Sequence, residues 1–229
     1  MKILGVVPAR KGSKRIPGKN AKLLGGKPLV AWTFETAMAC EGLERVCLST
    51  DDPALMELAR DYGIDAPFTR PEHLCDDTAP TIDVVLHALD HYSAVGNEFD
   101  AVMLLQPTSP FRNAETLTQA IEAFRRLDGC RDFVSVSPVE SPPQWMFYIR
   151  DNELTPVTAW SYLQGRSQDL EPAYRLNGSI YLTSSHTLRT QRQFVHSGCL
   201  PIKMTAGKEC IDIDTLDDWR LAEMSLNHP

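Results

Sequence analysis

The sequence predicts an α/β protein whose mainly parallel sheet is covered on both faces by helices. Three observations carry this expectation. Short continuous apolar runs end in turn residues, helix-period segments alternate with them, and 229 residues at 43% hydrophobic content can bury one core. "KILGVV" (2–7), "RVCLST" (45–50), "DAVMLLQ" (100–106) and "DFVSVSPV" (132–139) read as buried strands. Between them, "PLVAWTFETAMAC" (28–40) opens a helix on Pro28, and "DPALMELARDYG" (52–63) has an acidic start and a glycine stop. "PTIDVVLHALDHYSAV" (80–95) repeats Val84, Val85, Leu86, Leu89 and Tyr92 at helical spacing. "NAETLTQAIEAFRRLDG" (113–129) is a helix capped by Asn113 and stopped at Gly129.

After Val139 this rhythm breaks. Residues 140–175 are rich in Pro and aromatics and read as a hairpin-like insertion, leaving 1–139 and 176–229 as the core. Trp145, Phe147, Tyr148, Trp160 and Tyr162 suit a satellite core or a dimer interface. So short a piece cannot bury that many rings alone, which favours the interface. "SIYLTSS" (179–185) and "CLPIKM" (199–204) return to strand character, and "TLDDWRLAEMSL" (215–226) is a closing helix with Thr215 and Asp218 as a capping box.

No apolar run approaches the ~20 residues that span a membrane, and "MKILGVV" is too short for a secretory core, so a cytoplasmic location is expected. The six cysteines have no metal-like spacing and read as small buried thiols. Net charge is −7, yet eight Lys or Arg precede the first acid, Glu35. An acidic chain without aromatic-basic interleaving argues against nucleic acid, and its one concentrated basic stretch suits a small polyanion.

In such sheets, ligands bind beyond the carboxyl ends of the strands. There stands "PARKGSKRIPGKN" (8–20), which fails as a P-loop: five residues separate Gly12 from Gly18, and Asn20 replaces the magnesium-binding hydroxyl. A solvated basic loop is one reading of it. Position after a buried strand favours a polyphosphate clamp built from Arg10, Lys11, Lys14, Arg15 and Lys19. In "IDIDT" (211–215) the period of two puts Asp212 and Asp214 on one side and Ile211 and Ile213 on the other. Adjacent carboxylates suit a cation shared with substrate phosphates, or an exposed edge. In "LLQPTSPFR" (104–112), Gln106, Thr108 and Ser109 suit a hydroxyl-rich ligand or plain turn chemistry. His87 and His91 lack the glutamate of a zinc helix, and Asp52 in "STDD" reads better as a helix cap than as a metal ligand.

Together "ARKGSKRIPGKN", "STDD", "RPEHLCDDTAPT", "LLQPTSPFR", "RSQDLEPAYRLNGSIYL" and "IDIDT" cover nearly the whole chain. In that order they resemble the acylneuraminate cytidylyltransferases. The resemblance implies a Rossmann-like nucleotidyltransferase three-layer sandwich that transfers CMP from CTP to the 2-hydroxyl of a nine-carbon keto sugar acid. It implies that Arg10, Ser13, Lys19 and Asn20 line the triphosphate loop, with Arg70, Thr78, Ala79 and Thr81 near the cytidine. Gln106, Thr108, Arg175, Asn177 and Tyr181 would face the sugar acid, and Asp212 and Asp214 would hold Mg²⁺ (or Mn²⁺). It further implies a homodimer whose 140–175 arm reaches the neighbour's site, where Arg166 would serve the partner's sugar acid. Gln144 stands where some sialic acid members carry Lys, which favours a deoxy sugar such as legionaminic acid over N-acetylneuraminic acid. Alternatives are an acceptor of the pseudaminic or eight-carbon type, a D-x-D glycosyltransferase, and a non-catalytic nucleotide-binding protein.

Overall fold

The computed structural model describes residues 1–205 and 207–227; Ala206, His228 and Pro229, all within the expected 176–229 part of the core, lie outside the described residues. The chain runs β1 (Ile3–Pro8), β2 (Leu23–Leu24), β3 (Lys27–Pro28), α1 (Leu29–Ala39), β4 (Arg45–Ser49), α2 (Pro53–Asp61) and α3 (Thr81–Ala94). It continues through β5 (Ala101–Leu104), α4 (Ala114–Arg126), β6 (Phe133–Pro138), β7 (Phe147–Arg150), β8 (Glu153–Pro156), β9 (Tyr174–Ser184), α5 (Ser185–Gln191), β10 (Leu200–Lys203) and α6 (Leu216–Asn227). Six strands form one sheet in the order β10-β6-β9-β5-β1-β4. β1 pairs in parallel with β4 and β5, and β10 with β6, whereas β9 runs antiparallel between β5 and β6.

The expected layers are present. One face of the sheet packs Phe34, Leu55, Ile121 and Phe124 from α1, α2 and α4; the other packs Val85, Leu89, Tyr92 and Leu188 from α3 and α5. The caps form as their side chains dictate: Asp52 accepts from the Ala54 amide, and Asn113 accepts from the Glu115 amide at 2.8 Å. Thr215 and Asp218 bond reciprocally ahead of α6.

Several elements differ from expectation. Helix α1 begins at Leu29, so Pro28 caps it from outside. Strand β9 starts five residues before the predicted strand, and α5 was not predicted; the Ser184 hydroxyl caps α5 by accepting from the Thr187 amide at 3.0 Å. "IDIDT" joins no strand, although its side chains alternate as expected, with Ile211 and Ile213 buried. Cys40 and Cys47 are buried, but Cys130 is exposed. His87 and His91 pack against Phe68, with ring centroids 4.6 and 4.9 Å away. Strands β7 and β8 form a separate hairpin outside the large sheet, turned by Asp151 and Asn152, both at positive φ.

A third apolar cluster determines where the chemistry sits. Ile16 of the basic loop, Ile211 and Ile213 of the acidic segment, Phe111, and Trp219 of α6 pack together. Two stretches of opposite charge, about 195 residues apart in sequence, are thereby fixed side by side.

Candidate active site

Beyond the carboxyl ends of β1 and β5 lies a cleft of about 250 Å³. Arg10, Ser13, Lys19 and Asn20 line it together with Arg70, Ala79, Thr81, Gln106 and Thr108, whereas Asp212, Asp214 and Tyr181 are not among its lining residues. Three sequence motifs are tied together at Ile213. Its amide donates to the Thr108 carbonyl at 2.7 Å, and its carbonyl accepts from Lys19 Nζ at 2.8 Å. Lys19 also reaches Asp214 at 3.2 Å, and Arg15 reaches the same carboxylate at 3.1 Å. Asn20 shapes the loop from within, its amide donating to the Arg10 carbonyl at 2.9 Å. The loop is therefore shaped by side-chain bonds and by its own backbone turns, not by a helix start as in a P-loop.

Asp212 differs from its neighbour. Burial, above all, raises its pKa; the Thr108 hydroxyl, Lys19 and Arg175 oppose that rise, and Asp214 adds to it. Its Oδ1 is buried with no hydrogen-bond partner among the described residues. Gly178, at φ +73°, allows this crowding: a Cβ there would lie 2.9 Å from Gln106 Oε1 and 3.5 Å from Asp212 Oδ2. Tyr181 is half-buried near Asp212, and burial first, then that charge, pushes its phenol pKa up.

The remaining sequence candidates stand elsewhere. Thr78 is exposed and does not line the cleft. Arg175 is exposed and lines a separate cavity of about 620 Å³ with Glu140, Met146 and Cys210. Arg166 is exposed within the 140–175 segment. Asn177 corrects an expectation: its side chain is buried, not presented to a ligand. Its Oδ1 accepts from Ser135 and the Ser179 amide, and its Nδ2 donates to Ser137 and Met204. That geometry makes it a brace behind β9.

Sequence reasoning missed Arg112. Its guanidinium is 3% exposed and donates to the Gln106 carbonyl, to Thr33 at 3.1 Å and to Ser179 at 3.4 Å. No carboxylate pairs with it among the described residues, and burial pushes its pKa down to about 9, opposed by the charge of Asp212. An Arg closing a polar turn after a buried strand was the only available signal.

The family model described as cytidylyltransferase matches residues 4–141. The CMP-N,N'-diacetyllegionaminic acid synthase of Legionella pneumophila is 40% identical over 99% of this chain and 98% of its own length. The chain belongs to the cytidylyltransferase family. A pseudaminic acid cytidylyltransferase of Campylobacter jejuni is 33% identical over the full chain and 98% of its own length. Against the N-acylneuraminate cytidylyltransferase of Escherichia coli O18:K1:H7 identity is 34%, the chain spanning 51% of that longer protein. Among solved structures, CMP:2-keto-3-deoxy-manno-octonic acid synthetase complexed with CTP matches 99% of both chains, with a TM-score of 0.73 at 18% identity. The fold of this cytidylyltransferase is thus the nucleotidyltransferase α/β fold. Its cleft occupies the strand ends where that fold class places ligands. No helix among the described residues is long and apolar enough to cross a membrane.

Proposed function

We propose that the enzyme transfers CMP from CTP to the anomeric 2-hydroxyl of a nine-carbon keto sugar acid and releases pyrophosphate. One observation carries the reading: Lys19, which lines the cleft beside the Gln106–Thr108 turn, ties the basic loop to the Asp212–Asp214 segment at its edge. Arg10, Ser13, Lys19 and Asn20 bind the phosphate chain, and Arg70, Ala79 and Thr81 take the cytidine end. Gln106, Thr108 and Tyr181 face the acceptor, with Arg175 approaching Asp212 from outside the cleft.

The sugar oxygen attacks the α-phosphorus, the bond to the β-phosphate oxygen breaks, and the hydroxyl proton leaves to water. Arg10 and Lys19 offset the charge growing on pyrophosphate. Asp212 and Asp214 fit a hard divalent cation, Mg²⁺ or Mn²⁺: both offer oxygen donors, and Asp212 Oδ1 is buried with no partner among the described residues. Two carboxylates make an incomplete ligand set, as expected where substrate phosphates and water supply the rest; among the described residues no larger acidic or His/Cys cluster exists. When bound, such an ion neutralises phosphate charge and acidifies a hydroxyl that it ligates.

Identity of 40% to the legionaminic enzyme against 33% to the pseudaminic one supports an acceptor of the legionaminic type. So does the apolar setting of Gln144, flanked by Trp145 and Met146, each 40% exposed. The proposal includes a cytoplasmic homodimer joined through the 140–175 arm, whose Tyr148, Trp160 and Tyr162 are at least half exposed, with Arg166 serving the neighbouring site. Pyrophosphate release from CTP and Mg²⁺, with legionaminic, N-acetylneuraminic and pseudaminic acids offered separately, tests the reading. The expected result is fastest release with a legionaminic acid. Release with none of the three, and none with an eight-carbon keto acid, would leave a nucleotide-binding protein without this activity.

A further inference from the structure

The cations of the phosphate loop already have a partner in the cleft. Asp77 presents one carboxylate oxygen to Arg10 Nη2 and the other to Lys14 Nζ, bridging both. It lines the same cleft as Ser13 and Lys19. No other hydrogen bond to its side chain is present among the described residues, so these two cations are its only polar side-chain partners there. They also hold its pKa below the usual carboxylate range, Lys14 first and then Arg10. Arg10 has a second, independent anchor, donating to the Cys75 carbonyl at 3.2 Å, and so keeps its position without Asp77.

This arrangement is poorly suited to holding the fold. The pairs are open to water, Lys14 being 81% exposed, and exposed pairs contribute little to stability. A carboxylate there does oppose one thing: an incoming phosphate oxygen needs the same two donors and meets a negative charge.

We propose that Asp77 is a competing anion that tunes this site, lowering affinity for the pyrophosphate part of CTP and for product pyrophosphate alike. The inference rests on the nucleotide reading of the cleft. Both ligands must displace the carboxylate from Arg10 and Lys14. When pyrophosphate leaves, Asp77 recaptures the cations and opposes its rebinding. CMP, which lacks the β- and γ-phosphates, does not compete with Asp77.

The test is equilibrium binding of CTP, inorganic pyrophosphate and CMP to wild type and to Asp77→Asn, with Asp77→Ala as a second variant lacking the amide. The expected result is CTP and pyrophosphate binding tightened by roughly fivefold to tenfold in both variants, with CMP unchanged. Unchanged or weakened CTP and pyrophosphate binding would overturn the inference, as would an equal shift for CMP. If wild type binds CTP and the variants fail to tighten it, Asp77 alone is misassigned. If wild type binds no CTP, the nucleotide reading fails and takes this inference with it.

Discussion

The two ends of the cleft handle charge in opposite ways. At the phosphate loop four of the five clamp cations are exposed or partly so and already paired: Arg10 and Lys14 on Asp77, Arg15 and Lys19 on Asp214. Around the Gln106–Thr108 turn, Arg112 is buried and Asp212 half-buried with its Oδ1 covered; the two share no hydrogen bond and act on each other through space. Solvent-exposed pairs exchange partners at little cost, which suits groups that must take up and release a phosphate chain. Buried charges are expensive to create and cannot relax, which suits groups that must present a fixed field to a reacting centre. The site is thus mobile in its ion pairing at one end and fixed at the other.

Asp212→Asn should break the fixed end most severely. Turnover is expected to fall by about 10²–10³-fold, as when one electrostatic stabiliser of a transition state is lost. The unfolding midpoint should stay near that of wild type, and steady-state rates with urea melts check both. Arg112→Met should act on stability instead. It strands the Gln106 carbonyl, Thr33 and Ser179 in the interior, at about 3 kcal/mol. Urea unfolding measures this loss, and a change below about 0.5 kcal/mol would remove the fixed charge from the comparison.

Lys19→Met probes the boundary between the ends, because this side chain is 12% exposed and ties the loop to Ile213 and Asp214. KM for CTP should rise about tenfold, with KM for the sugar acid far less affected. Arg15→Ala belongs to the exchangeable end and should shift stability by less than about 0.5 kcal/mol in the same urea assay.

A buried acid away from the cleft sharpens the contrast between buried and exposed charges. Asp132 is 3% exposed and is met by His196 Nε2 at 2.8 Å, while His196 Nδ1 lies 3.0 Å from the Ser197 carbonyl. Acceptors on both ring nitrogens favour the imidazolium, and the Asp132 bond is the main cause of a raised pKa. The stabilisation is therefore complete below the ordinary imidazole value of 6.5 and is lost as pH rises through the higher folded value. Wild-type stability should fall over that interval, and His196→Gln should not show the fall; parallel melts across pH check this.

Much of this contrast was legible in the sequence where the cause is local. Asp52, Asn113 and the Thr215–Asp218 pair cap helices because their partners lie within three residues. The alternation of Ile211, Asp212, Ile213 and Asp214 follows from extended backbone alone, even outside a strand. Nonlocal causes were invisible. Strand β9 is long and antiparallel because β5 and β6 both pair with it, and its register shift beside Val134 and Val136 brings Asn177 inside and Gly178 against the site. Arg112 gains its meaning from Asp212, a hundred residues away, and Asp77 from a loop that precedes it by more than sixty. Thr78 was placed near the cytidine by the family resemblance, yet it is exposed in a turn and does not line the cleft.

The central claim is that Asp212 at the fixed end drives transfer of CMP to a sugar acid bound beside it. The most direct measurement is mass spectrometry of products from CTP, Mg²⁺ and N,N'-diacetyllegionaminic acid, with wild type and Asp212→Asn run side by side and CTP binding measured for both. The account predicts a CMP ester and equimolar pyrophosphate from wild type, and almost none from the variant despite retained CTP binding. Equal product from both proteins would contradict it.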